Sequence, residues 1–145
     1  MMKFTIKNKS PYFLAVICGS LLISLLAWTS TKNFYQIKFG EGGGIVGGRT
    51  EYTIDSKGEI YKQTPFKSEK QKIGNISTKT LNEIVKKAES FCLSDSIIIK
   101  GNHYYFVEIE MKSCNKKFLW SNSSSVQTKN IADFYNFLTS IVNKK

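Results

Sequence analysis

HYYFVEIEM, His103–Met111, is the strongest strand signal in the chain, and reading it fixes the rest of the fold. Tyr105, Val107, Ile109 and Met111 alternate with Tyr104, Phe106, Glu108 and Glu110, so one face is apolar and the other mixes aromatics with acids. A period of two with a single apolar face is the pattern of an antiparallel sheet that buries one side. The segment Lys112–Asn115 then turns, and Lys117–Trp120 returns with Phe118 and Trp120 alternating, which makes a hairpin.

Upstream, Asn33–Phe39 alternates Tyr35, Ile37 and Phe39 against Gln36 and Lys38 and reads as a first strand. Six glycines follow within Gly40–Gly48, read as a flexible connection or as close backbone approach to another element. Gly42-Gly43-Gly44-Ile45-Val46-Gly47 has the letters of a dinucleotide-binding G-x-G-x-x-G. That site also needs a helix opening directly after the loop, and Arg49–Ile54 is a strand pattern instead. Asp55-Ser56-Lys57-Gly58 is a turn, Glu59–Gln63 a return strand, and the lysine-rich stretch from Thr64 to Asn75 a loop.

Thr80-Leu81-Asn82-Glu83 has the form of a capping box opening a helix whose apolar stripe is Leu81, Ile84, Val85, Ala88, Phe91 and Cys92. A second helix is expected from about Ile131 to Val142, with Asn130 as N-cap, on a stripe of Ile131, Phe134, Tyr135, Leu138, Ile141 and Val142. The expected class is α+β: an antiparallel sheet of about five strands with two amphipathic helices on one face.

Ahead of this domain, SPYFLAVICGSLLISLLAWTST spans Ser10–Thr31 without Asp, Glu, Lys or Arg, between Lys9 and Lys32. As a helix it would reach roughly 33 Å at about 1.5 Å per residue, enough for a hydrocarbon core of about 30 Å. The lysines at 3, 7 and 9 favour a cytoplasmic N-terminus, and Trp28 suits the far headgroup region. Residues 1–31 therefore read as a signal anchor, with a cleaved signal peptide as the alternative, and residues 32–145 as one extracytoplasmic domain. The expected location is the inner membrane with the domain outside the cytoplasm, or the periplasm after cleavage.

The chain carries 21 Lys and Arg against 11 Asp and Glu, a formal charge of +10, and Arg49 is its single arginine. Scattered lysines suit a solvated basic surface near anionic lipid more than a nucleic-acid reader, which favours arginine and interleaved aromatics. Nucleic acid is not an expected partner.

The candidate chemistry is sparse. Cys92 and Cys114 are placed to form a disulfide in an oxidising compartment, or to remain a core residue and a turn residue. His103, the sole histidine, has no cysteine or carboxylate at metal-ligand spacing, and the serines of 121–125 lack a nucleophile-elbow motif. Glu108 and Glu110 read as acids on a solvated strand face. No catalytic residue, metal or cofactor is expected. The outward aromatics Tyr104 and Phe106, with Tyr61, form a possible exposed partner-contact patch or lie under the N-terminal strand. Gly42, Gly43 and Gly44 are candidate partner-contacting residues in a mobile loop.

The stretch IKFGEGGGIVGGRTEYTIDSKGEIYK, 37–62, resembles small uncharacterised exported proteins and lipoproteins of Bacteroidetes, which share a Phe-Gly, Gly-rich, Thr-Glu-Tyr-Thr pattern. This chain lacks their lipobox. The resemblance implies an envelope location and carries no activity and no functional residue. The expected function is a membrane-tethered envelope binding module with a protein partner. The alternative is an inhibitor or immunity-type protein, and an envelope enzyme has the least support in the residues.

Overall fold

The computed structural model describes residues 33–44, 47–99, 101–121 and 126–144. The expected membrane segment, 10–31, lies outside them. No helix among the described residues is long and apolar enough to cross a membrane.

The described residues form six strands and two helices in the order β1 (Phe34–Gly43), β2 (Gly48–Asp55), β3 (Glu59–Gln63), β4 (Gln71–Asn75), α1 (Thr78–Phe91), β5 (His103–Met111), β6 (Cys114–Trp120) and α2 (Val126–Val142). The strands form one antiparallel sheet in the order β4-β3-β2-β1-β5-β6. The protein is thus α+β, with six strands where about five were expected. β1 lies at the centre, paired with β2 on one side and with β5 on the other.

Cross-strand register sorts the side chains into two faces. On one, the row Ile60, Ile54, Ile37, Ile109 runs across β3, β2, β1 and β5, and the next row holds Tyr52, Phe39, Val107 and Phe118. Both helices cover this face. Leu81, Ile84, Val85 and Ala88 of α1 and Ile131, Phe134, Leu138 and Val142 of α2 are buried in one cluster with these strand residues, as their helical spacing dictates. Phe91 of α1 joins three elements, stacking on Phe134 at 5.2 Å and meeting Phe118 edge-on at 5.7 Å.

The boundaries differ from the sequence reading where polar or glycine residues pair. Gly40–Gly43 belong to β1, with Gly40 opposite Glu51 and Gly43 opposite Gly48, so these glycines are ladder, and beyond them Gly47 N–H donates to Gly44 O at 3.1 Å. Of the two readings of these glycines, close approach is the one the geometry carries. A Cβ on Gly43 would sit 2.0 Å from the Asn102 carbonyl oxygen, and one on Gly42 would sit 2.6 Å from the Tyr104 hydroxyl.

Gln71–Asn75, expected as loop, is the edge strand β4, short, polar and bulged, which is how an edge avoids pairing with other chains. The N-cap of α1 is Ser77, whose Oγ accepts from the Thr80 amide at 3.2 Å, so the helix begins before the Thr80–Glu83 box. Helix α2 begins at Val126, one turn ahead of Asn130. The β5–β6 turn is shorter than expected, and Cys114 already belongs to β6. The Ile97–Ile99 run lies parallel along the outer edge of β6, with Ile99 N–H donating to Leu119 O at 2.8 Å and Leu119 N–H to Ile97 O at 2.7 Å.

Cys92, at the C-cap of α1, and Cys114 are joined as a disulfide with Cα atoms 5.6 Å apart. This is the bridged one of the two states open from sequence.

Candidate functional site: the open face of the sheet

The face away from the helices is built from the alternate residues of the same strands. One row across it reads Lys72, Tyr61, Thr53, Lys38, Glu108 and Lys117, from β4 to β6. The neighbouring row reads Gln63, Glu51, Gly40, Phe106 and Leu119. Next along are Arg49, Gly42 and Tyr104. Charges of opposite sign therefore stand beside each other across strands, the pairing that stabilises a solvated sheet face.

Arg49 organises the middle. Its Nη2 donates to Glu51 at 2.8 Å and to Glu108 at 3.2 Å, while its Cζ lies 3.6 Å above the centroid of the Phe106 ring. Glu108 also pairs with Lys117 at 2.9 Å. Glu110 accepts from Lys38 and from Gln36. The two acids expected in free solvent are thus engaged by cations. Burial pushes the Glu108 carboxyl up, but Lys117 and Arg49 outweigh it and hold the group below its usual range. Glu110 is likewise pushed up by burial and brought below its usual range by Lys38 and Gln36.

The expected aromatic patch comes out differently. Phe106, opposite Gly40, does face outward from the helices, but it is fully buried, with the Arg49 guanidinium lying over it. Tyr104 lies across Gly42 and is half-buried. Tyr61 sits three strands from β5, its hydroxyl donating to Glu59, which pushes its pKa up to about 12. The three do not form a continuous aromatic surface. Gly42 and Gly43 are ladder residues beneath Tyr104 and beside Asn102, and Gly44 anchors the turn by donating its N–H to Asn102 O at 2.7 Å. They shape the site.

A concavity of about 620 Å³ opens where the β1–β2 turn meets the β3–β4 loop. Arg49, Glu51, Lys38 and Glu108 form its floor, with Lys70 and Phe66 at its wall. Pro65 packs so closely on Gly48 that a Cβ there would meet its ring at 2.8 Å, and Lys70 reaches back to Glu51 and Thr53 at 3.2 and 3.1 Å. These contacts fasten both sides of the loop to β2 and leave Phe66 outward, 84% exposed. Sequence reasoning passed over Phe66. Its signal was an aromatic flanked by proline and lysine in a polar stretch.

Among the described residues no group of His, Cys, Asp or Glu is placed to hold a metal ion. The single histidine, His103, pairs at 3.7 Å with Glu41 at the surface, away from both cysteines of the disulfide. No protein-family model matches the chain, and no curated protein matches its sequence.

Proposed function

We propose that this protein is a membrane-tethered binding module of the cell envelope, and that it takes a protein partner at the groove beside Phe66. The observation that carries this reading is a fastened loop that presents an almost fully exposed phenylalanine next to a charged concavity on the sheet face that the two described helices leave uncovered. Aromatic anchors set in a polar rim are the usual centres of binding energy in protein interfaces.

The partner segment is acidic. Lys67, Lys70 and Lys72 follow Phe66 in sequence, and Lys38 and Arg49 stand in the floor beside Glu51 and Glu108. Complementary charge speeds and orients such an encounter. The apolar run of residues 10–31 and the resemblance to exported Bacteroidetes proteins support the tether and the envelope location. With the chain entering the sheet at Phe34, the groove lies along the far half of β1, from Lys38 at roughly 13 Å to the Gly43 end at roughly 30 Å along the strand. A tether on the N-terminal side would therefore hold the groove away from the lipid. The rigid Phe66 loop equally suits an inhibitor that inserts one side chain into a target. Binding at a strict one-to-one ratio with loss of the target's activity would select that form.

In-cell crosslinking of the full chain, tagged after Lys145, tests the proposal. The expected result is one dominant envelope partner, lost when Phe66→Ala is combined with Lys70→Glu, at unchanged expression and membrane fractionation. Capture of the same partner in equal yield by the double variant would overturn the assignment of the groove. Failure of the tagged C-terminus to be reached by external protease in spheroplasts would overturn the topology.

A further inference from the structure

On this lysine-rich chain several aromatic faces are already taken by its own cations. Arg49 lies over Phe106, Lys62 Nζ stands 5.4 Å from the Tyr52 ring, and Lys87 Nζ stands 5.0 Å from Phe137. One aromatic group is different. Glu41, Tyr105 and Trp120 are cross-strand neighbours on β1, β5 and β6, on the helix-covered face. Tyr135 of α2 packs on both rings, 5.3 Å from Tyr105 at 60° and 5.7 Å from Trp120 at 86°.

With Ala132 and Asn136 these three rings line a cleft of about 390 Å³, within the size range of small-ligand pockets. No lysine or arginine lines it, and among the described residues none stands over its rings. Glu41 supplies a carboxylate beside Tyr105, half exposed, with the surface histidine His103 as its neighbour at 3.7 Å. Burial pushes the Tyr135 hydroxyl up, and the nearby Glu41 carboxylate adds to this against the opposing Thr139.

We propose that this cleft between α2 and the β5–β6 hairpin binds a quaternary-ammonium group, its positive charge set against the faces of Tyr105, Trp120 and Tyr135 with Glu41 as counter-charge. Ring quadrupoles attract a cation most effectively when little hydration is lost, and a methylated ammonium has no N–H to leave unpaired. A lysine ammonium, compact and strongly hydrated, lacks that advantage, so the site selects against the chain's own commonest cation. The Asn136 amide and the two tyrosine hydroxyls are the polar groups available to a hydroxyl or phosphoester on the same ligand. This site is separate from the groove of the proposed partner, on the opposite face of the sheet.

Trp120 provides the readout. In the full chain carrying Trp28→Phe, held in dodecyl maltoside, titration with choline chloride against equal sodium chloride is expected to change Trp120 fluorescence saturably. The uncharged isostere 3,3-dimethylbutan-1-ol should give no saturable change. Glu41→Gln should weaken the choline response about 3–10-fold, and Tyr135→Leu should remove it. Tyr135→Phe, which keeps the ring, should retain it and so separates lost binding from lost folding. Phosphatidylcholine vesicles compared with phosphatidylglycerol vesicles distinguish a lipid headgroup from a free solute as the source of the same cation. Absence of a saturable response to both choline and phosphatidylcholine would overturn the proposal. An equal response to the uncharged isostere would do so too.

Discussion

Arg49 does three jobs with one guanidinium: it pairs with Glu51, pairs with Glu108, and covers Phe106. The planar fork and its stacking face are what a lysine cannot reproduce. Arg49→Ala is expected to cost about 1–3 kcal/mol in urea unfolding, through the uncovered ring and two acids deprived of a partner. Arg49→Lys should recover little of the loss, and full recovery would show that charge alone was needed. The same residues set an acid limit. Glu108 and Glu110 sit below their ordinary value of 4.5 in the folded protein, so their contribution is present above that value. It is lost as pH falls through the lowered folded values, because the unfolded chain then binds protons that the native one does not. The urea midpoint should accordingly fall as the solution is acidified below about 4.5, and Glu108→Gln should flatten that fall. The burial of Phe106 was beyond reach of the sequence for a related reason. Alternation alone showed that it points outward, but its cover comes from Arg49, more than fifty positions away and two strands over.

Among the elements, those whose pattern is apolar were legible and those held by backbone pairing were not. The strand His103–Met111 lies where its alternation put it, and the buried apolar residues of α1 and α2 are members of the stripes read from their spacing. β4 escaped because Gln71, Lys72, Gly74 and Asn75 offer no alternation to read. What makes it a strand is the hydrogen-bonding edge of β3. The end of β1 escaped because a glycine run signals a loop locally, whereas here Gly42 and Gly43 are the residues that let Tyr104 and Asn102 come close. The start of α1 offers a direct check. Ser77→Ala should lower stability by about 1 kcal/mol, since it removes the acceptor for the Thr80 amide. Thr80→Ala should cost less, because the Thr80 hydroxyl meets only the Ser77 hydroxyl. A reversed order in thermal unfolding would return the cap to the Thr80 box.

At the scale of the whole molecule, the Cys92–Cys114 bridge ties the end of α1 to the β5–β6 hairpin across a sequence separation of 22. A closed loop of that size is worth about 3 kcal/mol, mostly by restricting the unfolded chain. Reductant, or Cys92→Ala with Cys114→Ala, should lower the urea midpoint accordingly. Thiol titration in denaturant without reductant should find one reactive group, Cys18, of the three cysteines in the chain. Three reactive groups would refute the bridge.

The central place of β1 has a consequence for how the protein is made. β1 precedes the other five strands in synthesis, yet it needs neighbours on both sides. β2 follows at once, but Gly43 waits for His103, 60 positions downstream, before its other edge is paired. A nascent chain that has emerged as far as Asn102 holds a four-strand half-sheet whose bare edge is its most apolar strand. Such edges recruit other chains. Closure of that edge by so distant a segment also sets the pace of folding. Chains that stall or terminate between β4 and β5 should therefore leave that strand edge bare, while losses after β6 leave the sheet complete, with α1 in place and α2 removed.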